Sequence, residues 1–228
     1  METLGPIEKR SLDRKAADWI REAIASGNLA PGTRLTELEL SAQIGLSRST
    51  VRTAMQRVAS EGLLVQQPYL GWEVLSLSAQ DAWELYSLRS ALEGLAARLA
   101  AERIDDAGRK ALNDALAEFI SAVASGERRS IARADMQIHK TIVAVSGHKR
   151  LIQQYALVTD PALLYIISTN TMVSSPSELI AGHEELVRQI VAGNVERAEA
   201  LAFDHVTNSG KVMIAALEAQ AAMQPAKA

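Results

Sequence analysis

The stretch LTELELSAQIGLSRSTVRTAMQRVASEGLL, residues 35–64, decides how this chain is read. Leu40 and Ile44 recur at helical spacing in a short helix over Glu37–Ile44, which breaks at Gly45. Ser47 then offers a hydroxyl that can cap a second helix, Arg48–Glu61, with Val51, Met55 and Val58 on its inward face. Arg48, Arg52 and Gln56 recur every four residues on another face, and Gly62 ends the helix. This is helix, tight turn, helix. A face that presents Ser47, Arg48, Ser49, Thr50 and Arg52 with no acidic residue can donate to phosphates, while the planar fork of Arg can bond bidentately to guanine. The same face also fits a merely solvated helix; the turn, the cap and the strands beyond them favour a DNA-reading element.

Upstream, Ala16, Trp19, Ile20, Ala23 and Ile24 predict a helix over Ser11–Ser26 that stops at Gly27, followed by the Pro-Gly turn of LAPGTRL. Downstream, LLVQQPYLGWEVLSL places β-type residues on both sides of a bend containing Pro and Gly, which predicts a small hairpin. Residues 8–76 therefore read as a winged helix-turn-helix domain. At Ser78 a capping box with Asp81 opens a helix carrying Leu85, Leu88, Leu92, Leu95 and Leu99 as its apolar stripe. Helical segments follow near 106–125, 128–146, 149–170, 176–193 and 195–219, with Ser175, Pro176 and Glu178 as a second start signal. Asp160 and Pro161 predict a kink or break in the 149–170 segment. Residues 78–223 read as an all-helical antiparallel bundle, so the fold class is mostly α.

Composition bounds the partners. The 228 residues hold 48% apolar side chains with Gly 13 and Pro 6, which excludes collagen-like and disordered classes. Residues 1–76 carry nine basic and nine acidic side chains and the remainder fifteen and eighteen, so neither part is a general polyanion binder. No apolar run reaches membrane-spanning length and METLGPIEKRSLDRK has no apolar centre, so a cytoplasmic chain without span or signal peptide is expected. With Cys 0, disulfides and thiolate ligands are excluded, and any metal must bind nitrogen and oxygen.

The His 4 then become informative. In the 128–146 segment Ile131, Asp135, Ile138, Ile142 and Val145 form one stripe, with His139 one turn from Asp135. A carboxylate in an apolar stripe needs a cation or strong donors nearby. His183 shares a face with Leu179, Leu186, Val187 and Ile190, and His205 with Leu201, Asn208 and Val212. Singly, an inward His is more often a hydrogen-bonded core residue. Three of them with one Asp can form a site for zinc, nickel, manganese or iron(II). His148, after Gly147 at a helix end, reads as a cap or surface residue.

Pro31-Gly32, Leu35, Glu37, Leu40, Gly45, Ser47-Arg48, Val51-Arg52, Glu61-Gly62-Leu63 and Gly71 together resemble the DNA-binding domain of the GntR family of bacterial transcription regulators. The resemblance implies that Ser47, Arg48, Ser49, Thr50 and Arg52 contact DNA, that Gly71 lies at the wing, and that Arg34 adds a phosphate contact unless it is simply a surface Arg. Leu38 stands where relatives often have Arg, and Thr53 where many have Glu, so their preferred DNA sequence does not transfer. Residues 78–223 resemble the FadR-like FCD effector domain in its metal-binding version, which implies Asp135, His139, His183 and His205 as ligands of a divalent metal, with zinc as the first choice. It further implies an open coordination position for a small organic acid, with Arg89 pairing to the effector carboxylate and Asn208 as a weaker cavity residue. Arg89 can equally pair with Glu93 at i,i+4.

The implied function is a homodimeric, metabolite-responsive regulator, a repressor by family habit, that binds double-stranded operator DNA. Two other readings stay open. A structural zinc could merely staple the bundle, or the metal could activate water in a hydrolase, although no HExxH-like motif appears and Glu184 points about 100° from His183.

Overall fold

The computed structural model describes residues 11–67, 70–75, 78–168 and 175–223. The chain divides into two compact units, Met1–Ser76 and Leu77–Ala228.

In the first unit α1 (Leu12–Ala25) packs on α3 (Arg48–Ser60), with α2 (Glu37–Ile44) joined to α3 by the tight turn. Gly45 ends α2 at φ 69°, in the left-handed region where a Cβ is penalised. The Ser47 hydroxyl caps α3 by accepting from the Thr50 N–H at 3.2 Å. The core is Ile20 and Ile24 against Leu40, Val51, Met55, Val58, Trp72 and Val74. Trp19, expected inside, is 40% exposed because Ala16 and Ala17 fill the face that meets α3.

The expected hairpin forms as β2 (Leu64–Gln67) and β3 (Gly71–Val74), and its bend at Pro68 and Tyr69 lies outside the described residues. A further strand, β1 (Arg34–Leu35), pairs with β3 and gives the sheet order β1-β3-β2. Two residues are too few to display alternation, so this strand leaves no sequence signature.

The second unit contains α4 (Ala79–Arg103), α5 (Asp106–Ser125), α6 (Arg128–Val145), α7 (Lys149–Ser168), α8 (Pro176–Val191) and α9 (Val195–Met223). Their start signals act as expected: Ser78 caps α4, and Ser175 with Glu178 forms a full capping box on α8. His148 accepts from the Leu151 N–H through Nδ1 at 3.1 Å, a cap rather than a ligand.

Of the kink or break expected at Asp160 and Pro161, the break does not form: α7 runs through the buried Pro161, and packing on α4 and α6 offsets the cost of a proline inside a helix. The leucine stripe of α4 is split: Leu85 and Leu92 pack against the core, whereas Leu88 is 52% and Leu95 40% exposed. The inner face is Ala82, Tyr86, Arg89, Ser90, Glu93, Ala96, Ala97 and Ala100. Small residues win because α9 comes too close for leucine: a Cβ on Gly94 would stand 3.5 Å from Phe203 Cβ, and one on Gly210 only 2.7 Å from Tyr86 Cβ. Among the described residues no helix is long and apolar enough to cross a membrane.

Candidate functional site

The expected reading helix carries its polar residues outward. Ser47, Arg48, Ser49 and Arg52 are exposed and Thr50 half-buried, above the buried Val51, Met55 and Val58. Ser47 Oγ lies 3.0 Å from Ser49 Oγ and 2.8 Å from Thr50 Oγ1, so the three hydroxyls form one cluster at the start of α3. Arg48 makes no side-chain hydrogen bond or ion pair among the described residues. Arg52 is braced: its Nε and Nη2 donate to Glu37 Oε1 and Oε2, each at 2.7 Å. The Arg52 guanidinium holds the Glu37 carboxyl below its ordinary range against partial burial, with smaller contributions from Arg48 and the Trp72 indole. Arg34 sits on edge strand β1, in register with Glu73. Gly71 has φ +91°, and a Cβ there would stand 2.8 Å from the Leu35 carbonyl oxygen, so glycine is required for the β1–β3 approach itself.

In the bundle, α6, α8 and α9 bring Asp135, His139, His183 and His205 together, their ligand atoms all within 4.8 Å of one another. The imidazole centroids of His183 and His205 are 4.5 Å apart, and those of His139 and His205 are 5.2 Å apart. Tautomers follow from the neighbours. His183 Nδ1 lies 2.8 Å from the Leu179 carbonyl, which can only accept, so Nδ1 carries the proton. His183 Nε2 then turns a lone pair toward Asp135 Oδ1 at 3.0 Å. Two acceptors at that distance require a cation between them, either a second ring proton or a metal. His139 is placed in the same way between two carboxylates: Nδ1 is 2.5 Å from Glu93 Oε2 and Nε2 is 3.9 Å from Asp135 Oδ2.

The electrostatics hold His205 and Asp135 in metal-binding form, whereas in the absence of an ion they favour the second ring proton on His183. Burial, reinforced by the other imidazoles, pushes His205 down to about 3, so near neutral pH it offers a lone pair. Burial would raise Asp135, but contact with His183 and the nearby His139 and His205 outweighs it and holds the carboxyl well below its usual range. For His183 burial pulls downward and Asp135 pulls upward more strongly. Nitrogen and oxygen donors with both Nε2 atoms aimed at one carboxylate fit a borderline divalent ion.

Behind the ligands stands a buried polar chain that the sequence displays only in part. Arg89 Nε pairs with Glu93 Oε1 at 2.5 Å, so the i,i+4 pair weighed for Arg89 is made. Tyr155 donates to the same oxygen at 2.7 Å. Glu93 therefore links Arg89 and Tyr155 to His139, as a carboxylate behind a ligating imidazole does. Nothing in the sequence marks Tyr155, which the packing of α7 on α4 supplies. Tyr86 is buried in the same region, with Arg89 Cζ 5.6 Å from its ring centroid. Asn208, expected as a weaker cavity residue, is exposed, and its Oδ1 accepts from Lys211 Nζ at 3.4 Å.

Comparisons with known proteins agree with both units. Residues 12–74 match the model of the bacterial regulatory proteins, gntR family, and residues 84–208 match the FCD domain. The chain is 29% identical over 202 residues to a probable D-xylose utilization operon transcriptional repressor of Paenarthrobacter nicotinovorans, covering 88% of each. It is 37% identical over 134 residues to an uncharacterized HTH-type regulator in the TAR-I ttuE-ttuC' intergenic region of Agrobacterium vitis, covering 56% of this chain and 77% of that one. In fold it is similar to a putative transcriptional regulator GntR from Rhodococcus sp. RHA1, with TM-score 0.76, 23% identity and coverage of 89% and 97%.

Proposed function

Because the chain belongs to the GntR family of bacterial regulatory proteins and carries an FCD domain, it is a DNA-binding transcription regulator, not an enzyme, and we propose that it is a cytoplasmic repressor relieved by a small organic acid bound at a metal. The repressor assignment draws on relatives named for repression of a D-xylose or a gluconate operon. The observation that carries the sensing half is that two buried imidazoles, His139 and His183, turn Nε2 toward the one Asp135 carboxylate, at 3.9 and 3.0 Å.

In this reading Asp135, His139, His183 and His205 hold the divalent metal, zinc first, with nickel, manganese or iron as alternatives. The ion supplies a Lewis-acidic centre for an effector carboxylate. Glu93 and the Leu179 carbonyl accept from His139 and His183 and fix the two rings. Arg89 is the buried cation that an acid would share with Glu93. Ser47, Arg48, Ser49, Thr50 and Arg52 enter the major groove, with Arg34 and Gly71 at the sheet beside it. A homodimer places two such helices about 34 Å apart on the operator. The exposed Leu88 and Leu95 of α4, with Phe203 of α9 beside Gly94, form the apolar surface we assign to dimerisation. A coupling of about 1–3 kcal/mol between acid and operator suffices for regulation.

Metal analysis of the purified protein is the direct test. His139→Ala and His205→Ala should lower bound metal and abolish the response to sugar acids, hydroxy acids and dicarboxylates while operator binding persists. Wild type with no metal, or variants with full metal content, would overturn the sensing half.

A further inference from the structure

The reading helix starts in a positive setting, yet an acidic side chain stands beside it. Glu37, in the first turn of α2, is bound by Arg52 and feels Arg48. Next to DNA a carboxylate repels phosphates, so by charge alone Glu37 lowers affinity. Its geometry shows what it gives in return. A guanidinium has a side-on edge, Nε–H with one Nη–H, and an end-on edge formed by the two Nη–H bonds that point away from the stem. Glu37 takes the side-on edge through Nε and Nη2, both at 2.7 Å. The end-on edge is left intact and is held in one direction while the side chain remains 54% exposed. A fork bonded through its side-on edge and held to one line suits two acceptors on one base, guanine O6 and N7, better than a phosphate contact, which Arg48 can make without bracing.

We propose that Glu37 is a positioning residue for base readout: by clamping the side-on edge of Arg52 it aims the end-on edge at a single guanine in each half-site. This rests on the assignment of Arg52 to the DNA surface made above. The Glu37 carboxylate also lines a cavity of about 530 Å³ with Leu38, Arg48, Gln66, Gly71 and Trp72, so bracing ties the reading helix to the wing sheet.

The test is selection from a library of randomised DNA duplexes with full-length wild type, Glu37→Gln and Arg52→Lys, followed by titration of the enriched duplex and of a scrambled one. Wild type should enrich a half-site with a guanine that both variants cease to select. For Glu37→Gln the ratio of specific to scrambled affinity should fall about tenfold, inside the roughly 5- to 150-fold span of one bidentate contact, while scrambled affinity rises because a negative charge is gone. A purely structural role would lower both affinities and the melting temperature together. An unchanged half-site in Glu37→Gln, or a sequence-independent loss in Arg52→Lys, would overturn the positioning role and leave the DNA surface standing. Failure of wild type to enrich any sequence would overturn the DNA surface itself, and this inference with it.

Discussion

Ser47, Arg48, Ser49, Thr50 and Arg52 lie within six consecutive residues at one helix start, exposed or half-buried, whereas Asp135, His139, His183 and His205 come from three helices and end in the interior. The first group is assembled by local chain geometry, the cap and the helical repeat, at little cost in ordering. The second exists only after α6, α8 and α9 have packed, and it puts ionisable groups where each needs a partner. Substitutions in the surface group should therefore change DNA binding and largely spare folding, while substitutions in the buried group should change metal content and folding and leave the DNA contacts in place.

Arg89→Ala should give the largest effect. It leaves Glu93 buried with its main counter-charge gone, and breaking a buried pair in this way costs about 3–5 kcal/mol. Urea unfolding measures it. Replacing both charges together, Arg89→Met with Glu93→Gln, should cost clearly less; equal losses would mean that the pair is not what Arg89 contributes. Burial would raise Glu93, but Arg89, His139 and Tyr155 bring it down to about 2. A carboxyl with a depressed folded-state value adds stability above its unfolded value and loses it as pH falls through the folded one, so this contribution is complete at neutral pH and is lost between about 4.5 and about 2.

Zinc should come next. An ion that binds only the folded protein stabilises it by about 2.7 kcal/mol at a hundredfold excess over Kd. Wild type should melt higher with zinc and lower with chelator, and His183→Ala should respond to neither. An equal response in both proteins would place zinc outside Asp135, His139, His183 and His205.

How much of each region was legible follows the same division. Gly45, the Ser47 cap and the four-residue recurrence of Arg48 and Arg52 are local facts, and the structure keeps them. Asp135 and His139, one turn apart, were equally readable. Their convergence with His183 and His205 was legible only as three inward stripes plus a family resemblance. What escaped depends on distance along the chain. Glu37 meets Arg52 from another helix, Tyr155 meets Glu93 from 62 residues away, and β1 is too short to show a period. The leucines of α4 divide between core and surface, because close helix approach selects alanine and glycine for the innermost positions and leaves Leu88 and Leu95 outside.

Arg48→Ala sharpens the contrast from the surface side. With no side-chain hydrogen bond or ion pair among the described residues to lose, and only a weak attraction to Glu37, it should leave unfolding within about 0.5 kcal/mol of wild type. Operator affinity should fall alike for every DNA sequence, and the slope of log affinity against log salt should shrink by about one, as the loss of one phosphate contact does. Filter binding or fluorescence anisotropy reads the second quantity, and an unchanged value would move the DNA surface off this face.

Ser47 is where the two kinds of effect meet, because its oxygen caps α3 and also sits on the proposed DNA face. Ser47→Ala removes the cap and should cost about 1 kcal/mol in folding, so weaker DNA binding by that variant would not separate the roles. Ser47→Asp separates them. Aspartate caps as well as serine and is favoured at a helix start by the backbone dipole, so stability should stay within a few tenths of a kcal/mol of wild type. The same negative charge, if Ser47 faces phosphate, must weaken operator binding and more so at low salt, where screening is least. A stable Ser47→Asp protein that binds as wild type does would mean that the capping oxygen points at solvent in the complex, and that the contact surface begins at Arg48.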